Sequence, residues 1–327
     1  MWIIYNPAAG PADVKADVAQ ASRFWEMRGW EVAVRSTQAP GHAAVLAQQA
    51  VASSCQLVIA AGGDGTVGQT AHGMAGSPIP LAVLPVGTAN AFAKLLGMVP
   101  PVQMMPADID QVCDRLARGR VQQVDLGLAH AAGLPESGCH FLSWAGTGLD
   151  AHIVEQVEPR PKWVKQMGGG RLGWLSYVMA GVPSAVRFAG MDAEVQVDDR
   201  SVSGHLVLAL VSNSRLYGGG LVRLSEDSHL DDGTLDVWLF KGHMFPDTVG
   251  HAARLLSARH LTSENTIRLR GRHVTIRADQ AAAVQLDGEP AGYAPLTAQM
   301  VPGALRLLVP VDAPADLFCL PGEPFAG

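Results

Sequence analysis

Three short polar loops, each directly after an apolar run, carry the residue types that bind phosphate. They are Asn6–Gly10, Gly62–Thr66 and Gly87–Asn90. Glycines let a backbone approach a polyanion and point its N–H groups at it, and hydroxyls donate further hydrogen bonds. Asp64 could also reach a phosphate-bound Mg²⁺ through water. The loops therefore predict an anion site, and a plain strand–helix turn without a ligand is the alternative for the glycine-rich one.

Strand and helix patterns alternate over the first 120 residues and would position these loops. Parallel strands joined by right-handed crossovers end at one edge of a sheet, so the three loops should face one crevice. The predicted strands are 2–5, 31–36, 57–61 and 81–84, and the predicted helices are about 12–28, 42–53 and a short segment after the second loop.

From about residue 120 the segments become short, alternating or β-branched, which is typical of an antiparallel sandwich. We therefore expect a Rossmann-like three-layer α/β domain over 1–120, a mainly antiparallel β-sandwich over 121–310, and a tail over 311–327 that packs back on the first domain. Helices are expected near 171–183 and 245–257. The predicted strands are 121–128, 140–144, 193–197, 205–212, 235–240, 266–269, 273–278, 283–286 and 305–309.

Composition excludes several classes of protein. With 48% hydrophobic and 17% charged residues in 327, the chain has enough apolar surface for two cores. A net charge of −6 argues against a nucleic-acid binder that works through a general basic field. The four cysteines form no CxxC pair, no apolar segment approaches ~18 residues, and no signal peptide is seen, so we expect a reduced cytoplasmic protein.

Residues 63–68 also match the G-x-G-x-x-G fingerprint of dinucleotide-binding domains. That fingerprint expects an acid about 20 residues later to hold the ribose. No Asp or Glu stands between Asp64 and Asp108, and no Walker motif occurs. A dinucleotide site is therefore disfavoured.

Eight blocks in order resemble the diacylglycerol kinase catalytic family, which includes bacterial lipid kinases and the sphingosine and ceramide kinases. A single block is weak, because NAD kinases and phosphofructokinases share the glycine turn, but the full series is specific. The resemblance implies the fold shared by NAD kinases and diacylglycerol kinases. The blocks are Asn6–Gly10, Gly62–Thr66, Leu84–Asn90, Val124–Gly127, Gly148–Ala151, Asn213–Gly220, Asp232–Asp236 and Asp287–Glu289.

The resemblance implies an ATP- and Mg²⁺-dependent kinase peripheral to the membrane. Its substrate would be a hydroxyl of a diacylglycerol-like, phosphatidylglycerol-like or sphingoid/ceramide lipid, and a homodimer is left open. Such loops hold phosphates with N–H groups and hydroxyls. The implied ATP contacts are Asn6, Pro7, Ala8, Ala9, Gly10, Thr37, Gly62, Gly63, Asp64, Gly65, Thr66, Val67, Gly68 and Thr88.

The resemblance also implies two Mg²⁺ sites. Asp64 and Asp125 would hold the catalytic ion, partly through water. Asp232, with the carbonyl oxygens of His229 and Thr234, would hold a second, structural ion, since oxygen ligands suit Mg²⁺. The alternatives are an Asx turn or cap for either of the first two acids and a plain hairpin for residues 231–233.

Glu289 matches the family's proton acceptor for the lipid hydroxyl, and Asp287 would orient it or share its role. Phosphoryl transfer depends mainly on positioning and charge neutralisation, so one carboxylate within reach of the hydroxyl is the expected contribution, together with Asp64. An ordinary Asp-Gly hairpin is the alternative.

The chain departs from the family pattern at three positions. Gly68 and Gln69 stand where Asn and Glu are usual, and Ala91 stands where Asp is frequent. Because of these departures, a catalytically weak nucleotide or lipid sensor of the same fold remains an alternative to a kinase. A small-molecule kinase resembling NAD kinase is the nearest enzyme alternative, but its Gly-Ser-Thr-Ala-Tyr-like block is missing.

One stretch combines cations and aromatic residues. Two interpretations of this stretch are equally favoured. It could be an interfacial element whose tryptophans lie among lipid headgroups, or a solvated loop with one buried tryptophan. The residues are Arg160, Lys162, Trp163, Lys165, Met167, Arg171 and Trp174.

Overall fold

The fold, seen in a computed structural model, is an α/β domain followed by a mainly antiparallel β domain, which confirms the predicted fold class. The structure describes residues 1–10, 13–101, 107–157, 186, 188–243 and 245–325. The predicted helix at 171–183 and the basic and aromatic stretch at 160–174 lie outside the described residues.

The first half forms a parallel sheet with the order β2-β1-β3-β4, in which strands β3 and β4 are fully buried. The elements are β1 (Trp2–Tyr5), α1 (Val14–Glu26), β2 (Ala33–Ser36), α2 (His42–Ala52), β3 (Val58–Gly62), α3 (Asp64–Met74), β4 (Leu81–Pro85), α4 (Ala91–Leu95) and α5 (Ile109–Ala117).

Helix α5 was not predicted, although its signal is local. Asp108 caps it by accepting a hydrogen bond from the backbone N–H of Gln111, and apolar residues recur at helical spacing on its buried face.

The second half contains mostly antiparallel strands. The elements are β5 (Arg120–Ala132), β6 (Cys139–Phe141), β7 (Trp144–Gly148), α6 (Leu149–Val157), β8 (Met191–Val197), β9 (Arg200–Ser212), β10 (Leu216–Tyr217), β11 (Val222–Arg223), β12 (Leu235–Lys241), α7 (Phe245–Leu256), β13 (Thr266–Gly271), β14 (His273–Ala278), β15 (Ala283–Leu286), β16 (Glu289–Val309) and β17 (Glu323–Pro324), with 3₁₀ turns at His260–Thr262 and Ala315–Leu317.

One predicted strand, 140–144, is wrong in its middle. The structure has two strands there, β6 and β7, which are separated by Leu142 and Ser143. The backbone N–H groups of these two residues donate to the carboxylate of Asp287. A side chain from the turn between β15 and β16 therefore replaces the sheet hydrogen bonds that the pattern predicted.

Strand β16 joins the two halves. It has 21 residues rather than the five predicted at 305–309. Its earlier part pairs with β5, β14 and β15, whereas Leu307 pairs in parallel with Leu81 of β4. All described strands except β10 and β11 consequently belong to one continuous sheet, and the end of β16 is buried in the core of the first half.

The tail packs on the first half. Strand β17 pairs with the start of β5, and the ring of Phe325 stacks on Trp30 with their centroids 6.1 Å apart. Trp25 contacts both rings edge-on. Among the described residues, no helix is both long enough and apolar enough to cross a bilayer.

Candidate active site

The three glycine-containing loops lie against one another. A Cβ on Gly10 would lie 2.1 Å from the carbonyl oxygen of Val86, and a Cβ on Gly87 would lie 2.3 Å from the Cα of Gly63. Asn90, in the left-handed region at φ +51°, accepts from the N–H of Gly87 at 2.9 Å and closes the third loop. The strand order thus brings together the three loops predicted to share a crevice.

Individual loop residues differ in how they are placed. Thr88 is exposed at the tip of its loop, and Thr37 follows β2 beside the first loop. The hydroxyl of Thr66 faces Gly62 and is buried behind the turn.

The side chain of Val67 is not available to a nucleotide, because it lies in the hydrophobic core. The backbone N–H of Val67 donates to the carbonyl of Gly63.

The start of α3 contacts the Asp-Gly-Glu turn from the other half of the chain. A Cβ on Gly65 would lie 2.3 Å from Oε1 of Glu289, and a Cβ on Gly68 would lie 2.6 Å from Oδ2 of Asp287. The two glycines stand three residues apart and share one helix face. The structure therefore accounts for a glycine at position 68, because the Asp287 carboxylate occupies the space where a side chain would lie.

Asp287 is held rigidly. Its carboxylate accepts hydrogen bonds from the N–H groups of Leu142 and Ser143, both at 2.8 Å, and of Trp144 at 3.0 Å. The pKa of Asp287 is raised to about 6, mainly by desolvation and to a smaller extent by the nearby Asp64, although the three backbone hydrogen bonds oppose the change. Three fixed donors suit a residue that anchors the turn, so Glu289 is the better candidate for proton transfer.

The Asp64 carboxylate caps α4. Its oxygens accept from the N–H groups of Ala91 at 3.0 Å and Phe92 at 2.9 Å. Each carboxylate oxygen has a second lone pair, so this donor set still fits a Mg²⁺ ion held directly or through water.

Sequence reasoning missed Lys94, which lies on the same short helix. Its ammonium donates to the carbonyl of Gly219 at 2.9 Å, and burial lowers its pKa while Asp64 opposes that change. A cation thus lies near Asp64, between α4 and the glycines at 218–220. The available signal was a lysine four residues after Asn90.

Asp125, predicted to share the catalytic ion with Asp64, has different partners. Its carboxylate accepts from the N–H groups of Gly233 and Gly303, both at 2.7 Å, and its own N–H donates to Leu230. Desolvation raises the pKa of Asp125, and the neighbouring charges of Asp232 and Asp231 act in the same direction. The structure thus places Asp125 with the 231–234 loop, in a different hydrogen-bond network from Asp64.

Both oxygens of Asp232 are occupied by donors from the protein. Oδ1 accepts from the N–H of Thr234 at 2.9 Å and from its hydroxyl at 2.6 Å. Oδ2 accepts from Arg270 at 2.6 Å and from the N–H of His229 at 3.3 Å. The three residues predicted to form the structural ion site are therefore together, with an arginine added. Among the residues that the structure describes, no group of three or more His, Cys, Asp or Glu side chains is arranged to hold a metal.

A second network missed by sequence reasoning supports the Asp-Gly-Glu turn. Asp150 accepts from the Tyr217 hydroxyl and from the side-chain amide of Gln285, both at 3.0 Å. The Gln285 carbonyl oxygen in turn accepts from the N–H of Gly288 at 2.8 Å. Desolvation raises the pKa of Asp150 to about 6. The 148–151 and 213–220 blocks therefore meet behind the turn that carries Glu289.

Two family models match the chain, the diacylglycerol kinase catalytic domain over residues 1–129 and the YegS C-terminal NAD kinase beta sandwich-like domain over residues 144–309. The chain is also 30% identical over 297 residues to the diacylglycerol kinase of Bacillus subtilis, covering 90% of each chain. This protein belongs to the diacylglycerol kinase catalytic family. The predicted membership of a lipid kinase family is thus confirmed.

Two further comparisons are consistent with this family assignment. The chain is 29% identical over 316 residues to a protein named "Probable lipid kinase YegS-like" from Pseudomonas aeruginosa, covering 96% of this chain and 95% of the other. A crystal structure of a diacylglycerol kinase from Bacillus anthracis matches with a TM-score of 0.65 at 20% identity, covering 94% of this chain and 96% of that chain. That likeness supports the shared fold.

Proposed function

We propose that this protein transfers the γ-phosphoryl group of ATP to a hydroxyl of a membrane lipid of the diacylglycerol, phosphatidylglycerol or sphingoid type. The observation that carries the proposal is the contact between the glycine turn and the Asp-Gly-Glu turn. Glu289 lies against Gly65 in the first turn of α3, beside the three loops. A phosphate-binding surface and a candidate proton acceptor thus adjoin each other.

In the proposed mechanism the backbone N–H groups of the three loops and the Lys94 ammonium hold the ATP phosphates. Glu289 accepts the proton of the lipid hydroxyl as the hydroxyl oxygen bonds to the γ-phosphorus, and the bond from that phosphorus to the β,γ-bridging oxygen breaks to release ADP. Asp287 keeps Glu289 in place through its three backbone hydrogen bonds.

Mg²⁺, when bound with ATP, would neutralise the charge on the phosphates. Asp64 would hold it. Asp125 is tied to Gly233 and Gly303, so we propose that it supports the 231–234 loop rather than the ATP site.

The direct test is to incubate the purified protein with Mg²⁺, γ-labelled ATP and vesicles of total lipid extract. We expect a labelled lipid, and assays with single lipid classes would then identify its parent. If no class supports turnover although ATP binds, the protein is a sensor of the same fold rather than a kinase.

A lipid substrate also requires membrane contact, and we propose that α7 provides it. The helix buries His251 but exposes Val249 (50%) and Leu256 (71%), and Leu261 (58%) follows it. Arg254 and Arg259 are exposed on the same segment. Apolar side chains flanked by arginines fit an anionic bilayer surface.

Replacing both Leu256 and Leu261 by Ser should reduce sedimentation with anionic vesicles several-fold, since each buried CH₂ contributes roughly 0.8 kcal/mol. Turnover of detergent-dispersed lipid should not change. Met27→Ser is the matched control, because Met27 is 78% exposed on the first domain. Undiminished sedimentation of the double variant would exclude α7 as the contact.

A further inference from the structure

Arg270 occupies the position of a cation at the loop where the family resemblance implies a structural Mg²⁺ ion. Its Nη2 lies 2.6 Å from Oδ2 of Asp232 and 3.1 Å from the hydroxyl oxygen of Thr234. Its Nε lies 3.3 Å from Oδ1 of Asp236. One guanidinium thus joins three side chains of the loop and of the strand that follows it.

The sheet itself positions this arginine. Arg270 lies on β13, directly opposite Asp236 of the antiparallel strand β12. Cross-strand neighbours of this kind have side chains on the same face of the sheet. The guanidinium therefore reaches the loop from a rigid element.

The hydrogen-bond donors around Asp232 leave little of its carboxylate available to coordinate a metal ion. Each of its oxygens already accepts two hydrogen bonds, which uses both lone pairs. A divalent ion on Oδ2 would have to displace a donor and stand next to the Arg270 positive charge, which repels it.

The neighbouring acids have internal partners too. Asp125 accepts from two backbone N–H groups, and Asp231 accepts from those of Cys319 at 2.6 Å and Leu320 at 2.9 Å. Among the residues that the structure describes, Asp232 is the one of these three acids that makes an ion pair with an arginine. Its charge is the one that a structural ion would otherwise balance.

We propose that Arg270 is a built-in replacement for the second, structural Mg²⁺ ion, so that the 231–234 loop folds without a metal. This inference concerns a site separate from the ATP crevice and does not depend on the lipid kinase proposal. It predicts that the protein requires Mg²⁺ only where the nucleotide binds.

The test uses the full chain without nucleotide. The thermal unfolding midpoint of the wild-type protein should be the same in EDTA and in millimolar Mg²⁺ or Mn²⁺. Arg270→Gln should unfold several degrees lower in EDTA, because Asp232 loses its counter-charge, and added Mg²⁺ or Mn²⁺ should recover part of the loss. Arg277→Gln removes an arginine from an exposed pair, 4.0 Å from Glu194, and should change neither value.

Direct Mn²⁺ binding, measured by electron paramagnetic resonance on wild type, Asp232→Asn and Asp64→Asn, decides the matter even if Arg270→Gln fails to fold. No nucleotide-free binding, or binding lost in Asp64→Asn and retained in Asp232→Asn, supports the proposal. One Mn²⁺ per chain that is lost in Asp232→Asn overturns it.

Discussion

Glu289→Gln is expected to lower kcat for phosphoryl transfer to lipid by about 10²–10⁴-fold, the usual contribution of a general base. The amide keeps the size of the side chain beside Gly65 but cannot accept the proton of the hydroxyl. Nucleotide affinity and the unfolding midpoint should change little, because the backbone donors of the loops are untouched. The measurements are initial rates with labelled ATP, nucleotide titration and thermal unfolding.

Two comparisons make this result specific. Glu323→Gln alters an exposed carboxylate that pairs with Arg306 at 2.8 Å, and it should leave the rate unchanged. Asp287→Asn should instead lower the unfolding midpoint, since its new NH₂ group would face one of three backbone N–H donors. Wild-type turnover in Glu289→Gln would assign the proton to another group.

Gly87→Ala is expected to destabilise the fold and weaken nucleotide binding together. The added Cβ would lie 2.3 Å from the Cα of Gly63, and a backbone atom has no rotamer through which to move away. The two loops must separate, at a cost of roughly 1–3 kcal/mol for overpacking. Denaturant unfolding and nucleotide titration would measure both effects.

Gly63→Ala is the matched control, because its Cβ would meet the Cα of Gly87 at 3.7 Å, an ordinary contact distance. This variant should keep the wild-type unfolding free energy and lose nucleotide affinity, since a methyl group would stand where phosphate approaches the backbone. Equal stability of both variants would contradict the close packing of the loops. Undiminished nucleotide binding by Gly63→Ala would place the phosphates elsewhere.

Much of the first half follows from local patterns. Strand β1 matches its prediction at residues 2–5, and α2 ends one residue before its predicted end. Local patterns succeed there because strand burial, helix periodicity and glycine turns involve residues close in the chain. The parallel strand order then places the three loops together.

The patterns failed where distant residues decide the backbone. Strands β6 and β7 separate because Asp287 takes the N–H groups between them. Strand β16 extends to Glu289 because β5 and β15 offer it partners. Neither partner can be recognised from the residues of the strand itself.

The family, the two-part fold and the residue types of the glycine turn can be predicted from the sequence, since they depend on motifs and on spacing within a few residues. The residues that contact this turn are known from the three-dimensional fold alone. It set Gly65 and Gly68 against Glu289 and Asp287, and gave Asp232 an arginine. These pairings depend on strand register and domain packing, which join residues from distant parts of the chain.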